Sequence, residues 1–210
     1  MNRTEFIDSV TIGAATLNVP VGEGAAEKLF LYCRELERWN RRVNLVSRKQ
    51  PDWVRVHFLD SLVPLSMGLL EGEERLVDLG AGAGFPGLPL KIVRPSLTLV
   101  MVESSGKKCA FLRHVVRTLN LSGAEVAEGR FDRVLEGGMA GSFDVAVSRA
   151  AAKPGAILKA AAPFLAEEGR AMIFTSESLA SRGPGTIHPY RLPGSDLPTV
   201  IWLVEARDMR

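Results

Sequence analysis

The sequence predicts an α/β fold: a mostly parallel seven-stranded sheet with helices on both faces, helices ahead of it and a β-hairpin at its end. Three observations carry this. From residue 76 to residue 174, five short apolar runs alternate with helical or turn patterns, and strand–helix–strand repetition builds a parallel sheet. The first run leads into Gly80-Ala81-Gly82-Ala83-Gly84-Phe85-Pro86-Gly87, a strand turning sharply into a helix. Two further β-like runs between residues 186 and 207 flank Pro193-Gly194-Ser195-Asp196, a hairpin signal.

The chain has 210 residues, 46% hydrophobic and 24% charged, enough for one sizeable core and too apolar for disorder. We read residues 1–72 as a helical extension packed on a core of residues 73–210, the whole a single globular unit. Cys33 and Cys109 stand alone, without a C-x-x-C pair, so neither a disulfide framework nor a metal site is expected. No stretch approaches the roughly 20 apolar residues of a membrane helix. Met1-Asn2-Arg3-Thr4-Glu5 has no signal pattern, which makes the cytoplasm the expected location. The net charge of +2 says little about partners, but its distribution is uneven. Arg34, Arg38, Arg41, Arg42, Arg48, Lys49 and Arg55 crowd one segment, and Lys107, Lys108, Arg113 and Arg117 another. Such runs are solvated helix faces or a phosphate-binding surface.

In chain order, Glu5 to Leu17 reads as a short, loosely fixed helix. Leu29, Tyr32, Cys33, Leu36, Trp39 and Val43 then recur at spacings of three and four, one buried helical stripe. Asn40 and Asn44 lie at its end, where an amide caps the chain or contacts something. A further helix starts after Asp52, a good N-cap, with Trp53, Val56, Leu59 and Leu62 inward and His57, Asp60 and Ser61 on the other side. The last three invite a Ser-His-Asp reading, which fails because side chains stacked along one turn cannot converge on one carbon. A capped, internally hydrogen-bonded polar patch is expected instead. The strands follow: Leu76-Val77, Leu97 to Val102, Ala124-Glu125-Val126, Phe143 to Val147, and Ala171 to Phe174. The clearest crossover helix runs from Lys107 to Leu119. Ser181-Arg182-Gly183-Pro184-Gly185 is too breaker-rich for a full helix before the hairpin.

The glycine turn allows close approach to a ligand, because backbone N–H groups there are not walled off by side chains. Gly82 to Gly87 satisfies G-x-G-x-x-G, a weak dinucleotide signal. Glu103 closes the next strand, where a carboxylate accepts from a ribose diol; NAD and S-adenosylmethionine both have one. Asp78 would repel a pyrophosphate and tolerate an ammonium, which favours the methionine end of S-adenosylmethionine. Its alternative partner is the loop's own N–H groups.

The chain resembles the bacterial ribosomal RNA small subunit methyltransferase G family, also called glucose-inhibited division protein B. Nearly the whole chain carries the likeness: Trp39-Asn40 with Asn44-Leu45, His57-Phe58-Leu59-Asp60-Ser61-Leu62, Asp78 to Gly87, Glu103-Ser104, Lys107-Lys108, Phe111-Leu112 and Ser148-Arg149-Ala150. The resemblance implies a class I S-adenosylmethionine-dependent methyltransferase, Rossmann-like, that methylates N7 of a guanine in 16S rRNA and releases S-adenosylhomocysteine. It implies cofactor contacts at Gly80 and Phe85, ribose binding near Glu103 and Ser104, adenine-side contacts at Phe131 and Asp132, and a contact at Arg149. Asp78, Gly82 and Gly84 complete the expected cofactor set. No general base is named, since N7 has a lone pair and no proton. Arg149 is expected to orient guanine or cofactor, or else to form a structural ion pair, for example with Asp132. For RNA the candidates are Arg41, Arg42, Asn44, Lys107, Lys108, Arg113 and Arg130, with rRNA or the small subunit as partner and no obligate protein partner evident. The chain departs from the pattern in carrying Asp132 for the usual Glu and Thr175-Ser176-Glu177 for a lysine-glycine after the fifth strand, with the following helix deleted. An NAD-dependent oxidoreductase and a non-catalytic RNA-binding relative are the other readings.

Overall fold

The structure, a computed structural model, describes residues 1–47, 49, 52–149, 153–180, 183–194 and 199–209. Arg48, Ala150, Ser181, Arg182, Ser195 and Asp196, which entered the sequence reading, lie outside the described residues. Seven strands form one sheet: β1 (Arg75–Leu79), β2 (Thr98–Glu103), β3 (Ala124–Glu128), β4 (Phe143–Arg149), β5 (Leu165–Thr175), β6 (Thr186–Tyr190) and β7 (Thr199–Glu205). Their order is β3-β2-β1-β4-β5-β7-β6. The first five pair in parallel, whereas β7 pairs antiparallel with both β5 and β6. The order reverses between β1 and β4, and ligands of such sheets bind outside the strand ends at this switch point.

Strand alternation divides the core. Leu76, Leu99, Met101, Val145 and Val147 face one side, where they join α1 (Arg3–Thr16), α2 (Glu23–Asn40), α3 (Asp60–Ser66), α4 (Gly87–Val93) and α5 (Gly106–Thr118) in one continuous cluster. Val77, Leu79, Val100, Val102 and Ala146 face the other, against α6 (Phe131–Val134), α7 (Pro154–Ala161) and α8 (Glu177–Ala180). The helices ahead of the sheet therefore share its core.

Helix α1 is not loosely fixed. Asn2 and Glu5 form a reciprocal capping box, and Phe6, Val10 and Ala14 are fully buried. Gly13 lies so close to Leu59 that a Cβ there would clash with it; small residues let this weakly patterned helix approach its neighbour. Helix α2 stops at Asn40, short of Val43. The Asn40 amide takes over: Oδ1 accepts from the N–H groups of Leu45 (2.8 Å) and Val46 (3.1 Å), and Nδ2 donates to the Val46 carbonyl (3.0 Å). Asp52 caps the next helix by accepting from Arg55 N–H at 3.0 Å. That helix opens with a wide π turn, Val54–Leu59, before α3; such turns concentrate at functional sites. After β5 a single helical turn, α8, is all that stands before the hairpin among the described residues.

Candidate functional site

At the ends of β1, β2 and β4 lies a cavity of about 1130 Å³. Its floor is the glycine turn, held from both sides. Glu103, at the end of β2, accepts from Gly82 N–H through Oε2 and from Ser105 N–H through Oε1, each at 2.9 Å. Tyr32 of α2 donates its hydroxyl to the Ala83 carbonyl. Phe85 is buried in an aromatic cluster with Tyr32, Phe58 and His57, centroids 5.0 to 5.3 Å away.

Of the expected cofactor residues, Gly80, Gly82, Phe85, Glu103, Ser104, Phe131, Asp132 and Arg149 line this cavity. Asp78 and Gly84 do not. Asp78 is fully buried beneath the turn, where Oδ2 accepts from Gly87 N–H at 2.9 Å. Its Oδ1 has no partner among the described residues, and burial pushes its carboxyl up to about 7 against the opposing pull of the Gly87 N–H and Arg149. The acid thus ties strand to helix through a loop N–H, the alternative partner that the sequence left open. Gly84 (φ +97°) is required by packing: a Cβ there would stand 2.3 Å from Leu88 Cδ1.

Arg149, from the end of β4, crosses to the π turn. Its Nη1 donates to Asp60 Oδ2 and to the Val56 carbonyl, both at 2.9 Å. Nη2 lies 3.2 Å from His57 Nδ1, and the guanidinium sits 5.0 Å from the Phe85 centroid. A guanidinium only donates, so Nδ1 accepts and the imidazole proton is on Nε2, which has no partner among the described residues. Burial, reinforced by the Arg149 charge, lowers the His57 pKa to about 4, so the ring is neutral at pH 7. Asp60 Oδ1 accepts a further bond from the Tyr190 hydroxyl at 2.6 Å.

This corrects two expectations. Arg149 pairs with Asp60, while Asp132 is solvent-exposed beside Arg130, 3.7 Å away. The polar patch of His57, Asp60 and Ser61 has an internal bond, Ser61 donating to the His57 carbonyl at 2.6 Å, but it is not closed on itself: Asp60 and His57 meet Arg149 and line the cavity. Of the residues expected inward, Leu59 and Leu62 are buried in the core and Trp53 packs against it, whereas Val56, in the π turn, lines the cavity instead. Leu45, Val46, Leu192 and Thr199 also line the cavity and were missed, being apolar or neutral loop and strand-end residues without a chemical signature.

Among the RNA candidates, Lys108 and Arg130 lie at the cavity, and Lys107 is exposed beside them. Arg41 and Arg42 are exposed in the turn after α2. Asn44 lines a groove with Leu45, Val46, Ser47 and Lys49 that adjoins the cavity, since Leu45 and Val46 border both. Arg113 is different: it is held 2.8 Å from Glu128. Among the described residues there is no His, Cys, Asp and Glu cluster able to hold a metal and no helix long and apolar enough to cross a membrane.

The strand order and the site at the switch point define a class I S-adenosylmethionine-dependent methyltransferase fold. Precorrin-6y C5,15-methyltransferase from Geobacter metallireducens GS-15 matches 68% of this chain and 85% of its own at 14% identity with a TM-score of 0.52. TrmN from Thermus thermophilus matches 70% of this chain and 48% of its own at 13% identity, also with a TM-score of 0.52. A family model described as rRNA small subunit methyltransferase G (GidB) matches residues 25–182. Ribosomal RNA small subunit methyltransferase G of Roseiflexus castenholzii is 38% identical over 195 residues, covering 85% of this chain and 82% of the relative. The protein of that name from Syntrophotalea carbinolica is 40% identical over 145 residues, 69% of this chain, which spans 66% of that relative's length. The chain belongs to the rRNA small subunit methyltransferase G (GidB) family.

Proposed function

We propose that this protein is an S-adenosylmethionine-dependent methyltransferase acting on N7 of a guanine in 16S rRNA, in the cytoplasm, with residues 1–72 as a helical wall on the 73–210 core. The observation that carries the cofactor reading is Glu103. Its carboxylate is oriented by two backbone N–H groups at the edge of the cavity, and each oxygen keeps a lone pair for a diol hydroxyl. The residues present fit the group. Glu103 and Ser104 would hold the ribose, Phe131 and Asp132 the adenine side, Gly80, Gly82 and Phe85 the centre, and Arg149 the amino-acid end or the base. The cofactor supplies an electrophilic methyl on a sulfonium.

This chain contributes placement and exclusion of water. N7 carries a free lone pair, so no residue has to remove a proton, and a neutral His57 is consistent with that demand. The walls of Leu45, Val46, Val56 and Leu192 keep the reacting atoms dry, and proximity and avoided solvent reorganisation supply the rate. Lys107, Lys108, Arg130, Arg41 and Arg42 would meet phosphates around a base turned out of the RNA, with Asn44 beside the opening. Arg113, engaged by Glu128, is the weakest member of this set.

The test is to incubate the protein with methyl-labelled S-adenosylmethionine and unmethylated small subunits, or their rRNA, and map the modified base. Label at N7 of one guanine is the expected result. No incorporation in any assembly state would favour a non-catalytic RNA-binding role, and a thermal shift with NAD in place of S-adenosylmethionine would favour an oxidoreductase.

A further inference from the structure

The Arg149 guanidinium is only partly used. Nη1 spends both hydrogens on Asp60 and Val56, and Nη2 spends one on His57. Among the described residues, Nε and the second Nη2 hydrogen have no protein acceptor, so one forked edge remains on a residue that lines the cavity. Such an edge matches a carboxylate in bidentate fashion. Its direction is set by Asp60, whose two oxygens are already engaged, Oδ2 by Arg149 and Oδ1 by Tyr190.

Tyr190 ends β6, and the hairpin carrying it contributes Leu192 and Thr199 to the cavity wall. A second clasp fastens the same hairpin: Arg55 of the π turn donates to the Gly194 carbonyl and lies 3.1 Å from Asp52. The C-terminal hairpin thus reaches the half-buried Arg149 through one intervening carboxylate, with Asp60 and Tyr190 both buried.

We propose that Asp60 and Tyr190 are positioning residues: through them the C-terminal hairpin aims the open edge of Arg149 at the carboxylate of the cofactor's amino-acid end. This rests on the cofactor reading above. Neither residue touches the ligand's adenosine portion in this assignment, so their effect is confined to ligands that carry the amino-acid end.

The experiment measures binding of S-adenosylmethionine and of 5′-methylthioadenosine, which lacks that end, to the full chain by calorimetry. Asp60→Asn is expected to weaken S-adenosylmethionine about tenfold and Tyr190→Phe about threefold, the scale of one altered hydrogen bond, with methylthioadenosine affinity unchanged in both. Tyr190→Phe removes a single hydroxyl and keeps the test available should Asp60→Asn fold poorly. Equal losses for both ligands would make the pair merely structural and overturn the proposal, as would no loss for either. Failure of the wild-type chain to bind either ligand would instead overturn the cofactor reading, and the proposal with it.

Discussion

Arg149 and Asp60 meet at 2.9 Å across 89 residues of sequence, their side chains only 16% and 10% exposed. A pair so withdrawn from water adds little net stability while intact, because desolvation offsets its Coulomb attraction, but breaking it strands a charge. Arg149→Ala is therefore expected to lower unfolding free energy by about 3 kcal/mol, read by urea denaturation. Asp60→Ala with Arg149→Ala should cost less than the two single losses added together. Additive losses would mean that the two charges do not depend on each other.

Glu103 orders the turn and faces the cavity at once. Glu103→Ala removes the acceptor of the Gly82 and Ser105 N–H groups and the proposed ribose contact. Charge-assisted bonds contribute about 1.5–3 kcal/mol each, so S-adenosylmethionine affinity should fall roughly 100-fold. Wild-type affinity in a calorimetric titration of this variant would show that the ribose is held elsewhere.

Gly84→Ala tests the packing role of the turn. The new methyl meets Leu88 at a positive φ, and strain together with overpacking should cost about 2 kcal/mol. A thermal melt measures it. An unchanged midpoint would require Leu88 to repack freely.

Asp78 and His57 impose opposite pH dependences. The Asp78 carboxyl is raised from 3.8 to about 7, so between those values the folded chain holds a proton that the unfolded chain has lost, and stability falls as pH rises. His57 is lowered from 6.5 to about 4. Across that window the unfolded chain binds the extra proton, so stability rises with pH. Asp78→Asn should make the stability curve between pH 4 and 7 steeper upward, and His57→Gln should tilt it downward. Identical curves for wild type and Asp78→Asn would show that this carboxyl titrates normally.

Lys107 is exposed at the start of α5 and is assigned to phosphate. Lys107→Ala should weaken rRNA binding and lower the slope of log affinity against log salt by roughly 0.7–0.9, measured by filter binding across a salt series. A slope equal to wild type would remove this lysine from the RNA surface.

The class of fold and the cofactor turn were legible in the sequence because both are local. Short apolar runs separated by helical or turn patterns, a glycine cluster after the first, and Glu103 at the next strand end need no knowledge of distant contacts. The RNA rim was legible only in part: charge marks Lys108 and Arg130, but it does not reveal that Arg113 is taken up by Glu128.

The sequence by itself determined that a doubly wound sheet would present a glycine turn and an acid at its switch point, since strand alternation and turn chemistry act over a few residues. Only the tertiary structure decided that Asp78 lies beneath that turn, and that His57, Asp60, Arg149 and Tyr190 converge beside it. The physical reason is burial. Once the π turn and the C-terminal hairpin close over β4, the polar groups they carry inward lose water and must satisfy one another, and those partners are set by packing across the chain.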